Sequence, residues 1–239
     1  MRIAVLSDVH GNKHALEAVL ADIDNQNIDR VYCLGDLVGY GAFPNEVIEL
    51  VRARGIPTVM GNYDEGVGFD KDECGCAYTD PEMKRLGDVS LFWSRDHVTP
   101  ENTAFLRSLH PQIRFEAEGQ RFLLVHGSPR KINEYFYENR PDQSFQRLAE
   151  SCEADVLVFG HTHLPYTKEI GAVLFVNDGS VGKPKDGDTR ACYALLEARA
   201  EGVTASFRRV AYDVEAAAGA VRASELPARF AELLETAKG

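Results

Sequence analysis

No apolar run in the chain approaches the ~20 residues that a membrane-spanning helix needs, so no membrane partner is expected. The opening stretch, MRIAVLSDVHG, does not read as a secretory leader. It holds one basic residue, and its short apolar run breaks at once into charged residues. A disulfide framework is also missing. The five cysteines, at 33, 74, 76, 152 and 192, are odd in number and irregular in spacing, which fits a reducing compartment and a cytoplasmic location. Cys74-Gly75-Cys76 is the one cluster. With no second thiol pair to complete a four-thiolate site, it reads as part of an irregular loop. Positive charge is scarce as well, with 26 Lys and Arg against 37 Asp and Glu and a net charge of −11. Such a surface repels nucleic acid at long range, and no basic stripe offsets it, so no long nucleic acid is expected as a partner. Repeats, low-complexity tracts and Pro/Ser linkers are absent. What remains is 239 residues, 44% hydrophobic and 26% charged, enough for one domain over 1–239 with a full core. The sequence does not fix the oligomeric state.

The first half alternates apolar runs with helical patterns. Ile3 to Leu6, Val31 to Leu34 and Thr58 to Met60 predict short buried strands. Between them, Asn12 caps a helix with Leu16, Val19, Leu20 and Ile23 on one face, and Pro44 opens another through about Arg54. This order predicts a parallel sheet covered by helices. Residues 65–90 are polar and rich in glycine and turn formers. They read as a long loop excursion of substrate-facing type, with a short helix near Pro81 to Leu86. Thr99 caps a further helix. The second half is strand-rich, with runs at 113–116, 122–125, 156–159, 173–176, 191–196 and 203–210 and turns at Gly119 and Gly202. A helix at about 141–152 interrupts it, and an Ala-rich helical tail begins at about 213. Two sheets in one domain is the economical α/β reading.

Five apolar runs stop in the same chemistry. They end in Ser7-Asp8-Val9-His10-Gly11, Gly35-Asp36, Gly61-Asn62, His126-Gly127 and Gly160-His161-Thr162-His163. The carboxyl ends of parallel strands lie along one edge, so these residues converge although Asp8 and His163 are far apart in the chain. On an extended backbone Asp8 and His10 point the same way and can clasp one ion, and His161 and His163 repeat that spacing. A lone strand-end Asp is a turn former and a lone His a satisfied side chain. His14, His97 and His110, which follow no apolar strand, read that way. The coincidence of four of the seven histidines with two aspartates and an asparagine does not.

Seven oxygen and nitrogen ligands exceed what one tetrahedral ion needs and suit two divalent ions sharing a bridge. Asp36 is the natural bridge, since each carboxylate oxygen can take one metal. A carboxylate, amide and imidazole shell without thiolate favours Mn, Fe or Zn over copper. Two such ions outweigh two carboxylates. They give an otherwise acidic chain a local attraction for phosphate, and they can activate a bridging water whose hydroxide attacks phosphorus in line.

In this order the five blocks resemble the calcineurin-like metallophosphoesterases, over about residues 3–163. The stretch NDGSVGKPKDGDTRACYALLE is similar to the small bacterial phosphodiesterase-type members. The resemblance implies a four-layer α/β/β/α sandwich of two mixed sheets flanked by helices, with a dimetal site at its edge. It also implies Asp8, His10, Asp36 and His163 around one ion, and Asp36, Asn62, His126 and His161 around the other. Many members read Gly-Asn-His-Asp/Glu where this chain reads Gly61-Asn62-Tyr63-Asp64, and that histidine is thought to assist the leaving group. Relatives without it tend to favour phosphodiesters or activated esters. A tyrosine carries no positive charge at pH 7 but donates a hydrogen bond.

The expected function is dimetal hydrolysis of phosphodiesters or small phosphorylated metabolites. Asp36, Asn62, Tyr63 and Asp64 are the catalytic candidates, with Tyr63 contacting substrate and Asp64 supporting its loop. Alternatives are a serine/threonine-type protein phosphatase and a non-catalytic scaffold, the latter disfavoured because no ligand is missing. Arg130, Lys131, Lys183, Lys185 and Arg190 lie in loops near motif ends. They read equally as phosphate contacts or as a solvated face.

Overall fold

The structure, a computed structural model, describes residues 1–77 and 80–238. In chain order its elements are β1 (Arg2–Leu6), α1 (Lys13–Asp24), β2 (Arg30–Cys33), α2 (Pro44–Ala53), α3 (Asn62–Gly68), α4 (Pro81–His97), α5 (Pro100–Ser108), β3 (Gln112–Ala117), β4 (Gln120–Val125), α6 (Asp142–Cys152), β5 (Val156–Phe159), β6 (Tyr166–Ile170), β7 (Val173–Asn177), β8 (Ala191–Arg199), β9 (Gly202–Val210), α7 (Val214–Ala223) and α8 (Arg229–Thr236). Two sheets form, a four-stranded one in the order β2-β1-β8-β9 and a five-stranded one in the order β3-β4-β5-β7-β6. Both are mixed. β1 runs parallel to β2 and antiparallel to β8, while β4, β5 and β7 run parallel between antiparallel edge strands.

The strands read as continuous apolar runs because both of their faces are covered. Ile3 and Val5 of β1 meet Phe122 and Leu124 of β4 and Val156 and Val158 of β5 in the layer between the sheets. Ala4 and Leu6 face the other way, onto Leu16, Val19 and Ile23 of α1 and Val47, Ile48 and Val51 of α2. On the far side, Leu123, Val125, Leu157 and Phe175 pack against Phe145 and Leu148 of α6. The result is the expected helix–sheet–sheet–helix sandwich. α7 and α8 add a satellite cluster that includes Leu86 of α4.

Asn12 caps α1 by accepting from the Ala15 N–H, and Thr99 caps α5 by accepting from that of Asn102. Three expectations are corrected. Thr58 to Met60 forms no strand. It makes single bridges, from Thr58 to Cys33 and from Val59 to His110, because the chain leaves the edge at once to enter α3. The excursion at 65–90 is largely helical, since its first residues complete α3 and its last ten belong to the 17-residue α4. The buried face of α4 is Leu86, Gly87, Ser90, Leu91 and Ser94. Its period of 3.6 is carried by small residues, which an apolar-periodicity reading does not register. Tyr78 and Thr79, within the same excursion, lie outside the described residues. The third correction is β6, which had no apolar signal. It is an edge strand of sequence YTKEI with alternating burial, paired only with β7.

Leu124 is fully buried between the sheets. Leu124→Ala is expected to lower the unfolding free energy by about 2–5 kcal/mol, read as a fall in the urea midpoint at constant slope. A loss under about 1 kcal/mol would contradict the inter-sheet core.

Candidate metal centre

The chain turns sharply where it leaves each strand. Asp8, His10, Asp36, His161 and His163 all sit at left-handed φ, between +48° and +65°. Non-glycine residues adopt that region rarely, and each such residue costs on the order of 1–3 kcal/mol unless its surroundings hold it. Backbone hydrogen bonds do so here: Asp8 N–H donates to Gly35 O, His10 N–H to Asp36 O and Gly182 N–H to Asp8 O. Asp8 and His10, and likewise His161 and His163, therefore converge through tight turns, not through the alternation of an extended strand as the sequence suggested. Close backbone approach is the second requirement. A Cβ on Gly61 would fall 2.2 Å from the Asp36 amide nitrogen, and one on Gly35, at φ +88°, would fall 2.3 Å from the Gly61 nitrogen.

All seven predicted ligands are buried and meet at one edge of the sandwich. Asp8, His10 and His163 form one group of ligand atoms, and Asp36, His126 and His161 a second. Asn62 belongs with the second, its Oδ1 lying 3.0 Å from His126 Nε2. The backbone fixes what each side chain presents. His10 Nδ1 faces Val38 O at 2.9 Å, His126 Nδ1 faces Leu34 O at 2.8 Å and His163 Nδ1 faces Lys183 O at 2.6 Å. A carbonyl only accepts, so each Nδ1 carries the proton and each Nε2 can turn a lone pair inward. The amide of Asn62 donates to Cys74 O and Cys76 Sγ, which leaves its oxygen facing the cluster. Asp8 Oδ2 accepts from Ser7 Oγ and from the His161 N–H. Its Oδ1 has no hydrogen-bond partner and lies 3.3 Å from His163 Nε2. His161 Nε2 is a second orphaned buried atom.

Asp36 differs in detail from the sequence reading. Its Oδ1 accepts from the Tyr63 N–H at 2.8 Å. Oδ2 alone faces both groups, 3.7 Å from His10 Nε2 and 3.4 Å from His126 Nε2. Asp64 is buried one layer behind and accepts three backbone N–H groups, from Asp36 and Leu37 at 2.8 Å and from Gly61 at 2.9 Å. It ties the β2 end to the start of α3.

The space enclosed is lined almost entirely by acceptors. His10 Nε2 and His163 Nε2 stand 3.4 Å apart, and His126 Nε2 is 3.2 Å from His161 Nδ1. Lone pairs at such distances repel unless a cation or proton lies among them. The titration behaviour of the cluster follows. Burial opposes charge at His126, but Asp36 and Asp8 overcome it and push the imidazolium up to about 10. Burial, reinforced by the positive charge of Lys185, takes His163 down to about 3. Burial lowers His161 well below the usual range, with the His126 charge adding. Burial would raise Asp8, but His163, His126 and His10 hold it low. Burial and the Asp36 charge push Asp64 up to about 7 against its three N–H donors. A buried set of this kind, with Asp8 Oδ1 unpartnered beside His163 Nε2, fits divalent cations with nitrogen and oxygen ligands.

Above the groups lies a cleft of about 220 Å³. Tyr63 lines it, its ring edge-on to His10 at 5.4 Å and its hydroxyl 3.5 Å from Gly87 O. Four contributors escaped the sequence reading. Tyr40 and Tyr135 wall the cleft, the Tyr135 ring lying tilted against that of His161 at 4.0 Å, and neither lies in a strand-end motif. Cys76, read as part of an irregular loop, borders the cleft, with its Sγ 2.8 Å from that of Cys74. Asp178 is fully buried and linked through Ser7 to Asp8, a contact only the fold creates. Of the five basic loop residues, Lys183 and Lys185 line the cleft. Arg130 pairs with Glu134 and Arg190 with Asp188 on the outer surface. His14, His97 and His110 stay outside the cluster.

Comparison with known proteins agrees with this geometry. Residues 1–201 match the calcineurin-like phosphoesterase superfamily domain. The protein MJ0912 of Methanocaldococcus jannaschii is 33% identical over 249 aligned residues, covering 97% of this chain and 96% of that one. The phosphodiesterase YfcE of Escherichia coli K12 is 27% identical over 207, covering 82% and 88%. Among solved structures, a metallophosphoesterase from Sphaerobacter thermophilus superposes with a TM-score of 0.79 at 31% identity over 99% of both chains. PH1004 from Pyrococcus horikoshii OT3 shares the fold, with a TM-score of 0.87 at 22% identity over 100% and 99%. The sandwich, the paired ligand groups at its edge and these similarities together place the chain in the calcineurin-like phosphoesterase superfamily, as an enzyme of the metallophosphoesterase kind.

Proposed function

We propose that the chain hydrolyses phosphodiesters or small phosphorylated metabolites with two divalent ions, Mn, Fe or Zn, held at the sheet edge. One ion is assigned to Asp8, His10, Asp36 and His163, and the other to Asp36, Asn62, His126 and His161. The observation that carries this reading is the pair of buried carboxylate–imidazole groups with Asp36 Oδ2 facing both. When bound, such a pair supplies Lewis acidity and a water whose pKa falls toward ~7.

The chain's own residues do the rest. The Tyr63 N–H holds Asp36 Oδ1, which fixes the direction of Oδ2. Asp64 clamps the backbone on either side of the site, as a positioning residue. Asn62 supplies a neutral oxygen, so the second group gains a ligand without further negative charge. Tyr40, Tyr63 and Tyr135 narrow the cleft and limit its water, which strengthens the charge interactions inside it. Tyr63 is buried, its hydroxyl faces Gly87 O and it brings no positive charge to the cleft, which suits the good leaving group of an activated ester or diester better than an unactivated monoester. A cleft of about 220 Å³ favours a small ester over a folded phosphoprotein. The packing of Leu86, Tyr40 and Ala42 with the C-terminal helices supports reading 1–239 as one domain. No helix among the described residues is long and apolar enough to cross a membrane. No disulfide joins the five cysteines, and a cytoplasmic location is proposed.

After Mn²⁺ loading, the native chain is expected to hydrolyse bis(p-nitrophenyl) phosphate. Asn62→Ala should lower kcat/KM by at least about 100-fold and bind fewer than two ions by elemental analysis. Full turnover in chelator-treated protein would sink the proposal. Tyr63→His, which introduces an imidazole beside the leaving group, should raise the monoester-to-diester ratio of kcat/KM by about tenfold or more. An unchanged ratio would show that position 63 does not set the preference. Asp64→Asn sets an amide donor against backbone donors. It is expected to cost about 1–3 kcal/mol of stability, read by urea denaturation, and to lower kcat with little change in KM. A variant with native stability would contradict the clamp.

A further inference from the structure

Lys183 and Lys185 stand out among the residues that this reading does not use. The turn that carries them is built into the site. Val181 N–H donates to Ser7 O, Gly182 N–H to Asp8 O and Lys183 N–H to Ser180 Oγ, while Lys183 O faces His163 Nδ1. Lys183 is only 4% exposed, and both lysines line the cleft with His10, Asp36, His161 and His163. Neither ammonium makes a hydrogen bond or ion pair with any described residue; Lys183 Nζ lies over the Tyr40 ring, 4.7 Å from its centre. The other carboxylate lining the cleft besides Asp36 is Asp80, whose side chain caps α4. A buried ammonium without a counter-ion is costly, and a cation–π contact offsets only part of that cost.

The charge balance says what is missing. In the proposed reading two divalent ions already outweigh Asp8 and Asp36, which suffices to attract the phosphoryl group being cleaved. A lone phosphodiester, with a single negative charge, gives two further ammonium groups nothing to pair with. We infer that Lys183 and Lys185 form a subsite for a second anionic group on the substrate, so that the cleft takes a phosphate ester carrying another phosphate or a carboxylate. This rests on the phosphoesterase reading above and narrows its substrate class. The net charge of −11 means that such an anion is drawn in locally by this subsite and the metal centre, not by the surface at large.

The test is calorimetric binding to the Mn²⁺-loaded full chain, with inhibition of bis(p-nitrophenyl) phosphate hydrolysis as a second readout. Fructose 1,6-bisphosphate is compared with fructose 6-phosphate, and 3-phosphoglycerate with glycerol 3-phosphate. At least one pair should show tighter binding of the compound with the second anion, by about 10- to 100-fold. The first pair reports a phosphate and the second a carboxylate. Lys185→Met, at the more exposed position, and Lys183→Met should each shrink that preference about tenfold or more, and Lys185→Arg should keep most of it. Equal binding within both pairs, or a preference that survives both Met variants, overturns the inference. Hydrolysis of bis(p-nitrophenyl) phosphate by the same preparation is scored separately. Its absence counts against the phosphoesterase reading, while the binding preference still decides the subsite.

Discussion

Four imidazoles, two carboxylates and an amide oxygen share a space from which water is largely excluded, and nearly all of them present lone pairs. That crowd of acceptors is the constraint on which the rest of the structure depends. It is tolerable only with positive charge at its centre. The protein commits its backbone to the arrangement by pinning His10, His126 and His163 through Nδ1 to main-chain carbonyls, so these rings cannot turn away. The same bonds draw on β2, on the loop after it and on the turn at Lys183, which ties both sheets to one cluster.

The strain of the site is distributed in the same way. Left-handed φ at Asp8, His10, Asp36, His161 and His163 would each be unfavourable in a free peptide. At Asp8, His10 and Asp36 they persist because amides and carbonyls are bonded to neighbouring strand ends, which Gly35 and Gly61 let touch, and at His161 the N–H is held by the Asp8 carboxylate. The two-sided core anchors the strands from which the turns depart. The sandwich can thus be seen as the support that keeps five strained residues, in the turns after β1, β2 and β5, in register. Asp64, with three backbone donors, is where core and site meet.

The lining of the cleft adds a second layer of selection. In the proposed reading the candidate ligands would hold the phosphoryl group, and Tyr40, Tyr63, Tyr135 and the lysine turn line the cleft around whatever is attached to it. Tyr40, Tyr135 and the lysine turn come from three separate loops and Tyr63 from the start of α3, so the lining can vary while the candidate ligands stay fixed.

Much of this was legible in the chain. The candidate ligands were readable because each follows a short apolar run and brings its own glycine, and the sandwich because strands covered on two faces appear as unbroken apolar stretches. α4 was not, because its buried face is glycine and serine, and neither was β6, because an edge strand has little to bury. By itself the sequence determined which side chains could carry the chemistry and roughly where the chain would turn. Tertiary structure alone decided that Asp36 presents a single oxygen to both groups, that Asp178 reaches Asp8 through Ser7, and that Lys183 and Lys185 enter the cleft while Arg130 and Arg190 are paired outside it. The reason is physical. Local preferences set the kind of residue and the turn, but whether a charge meets water, a partner or an empty pocket depends on segments far away in the chain that close around it.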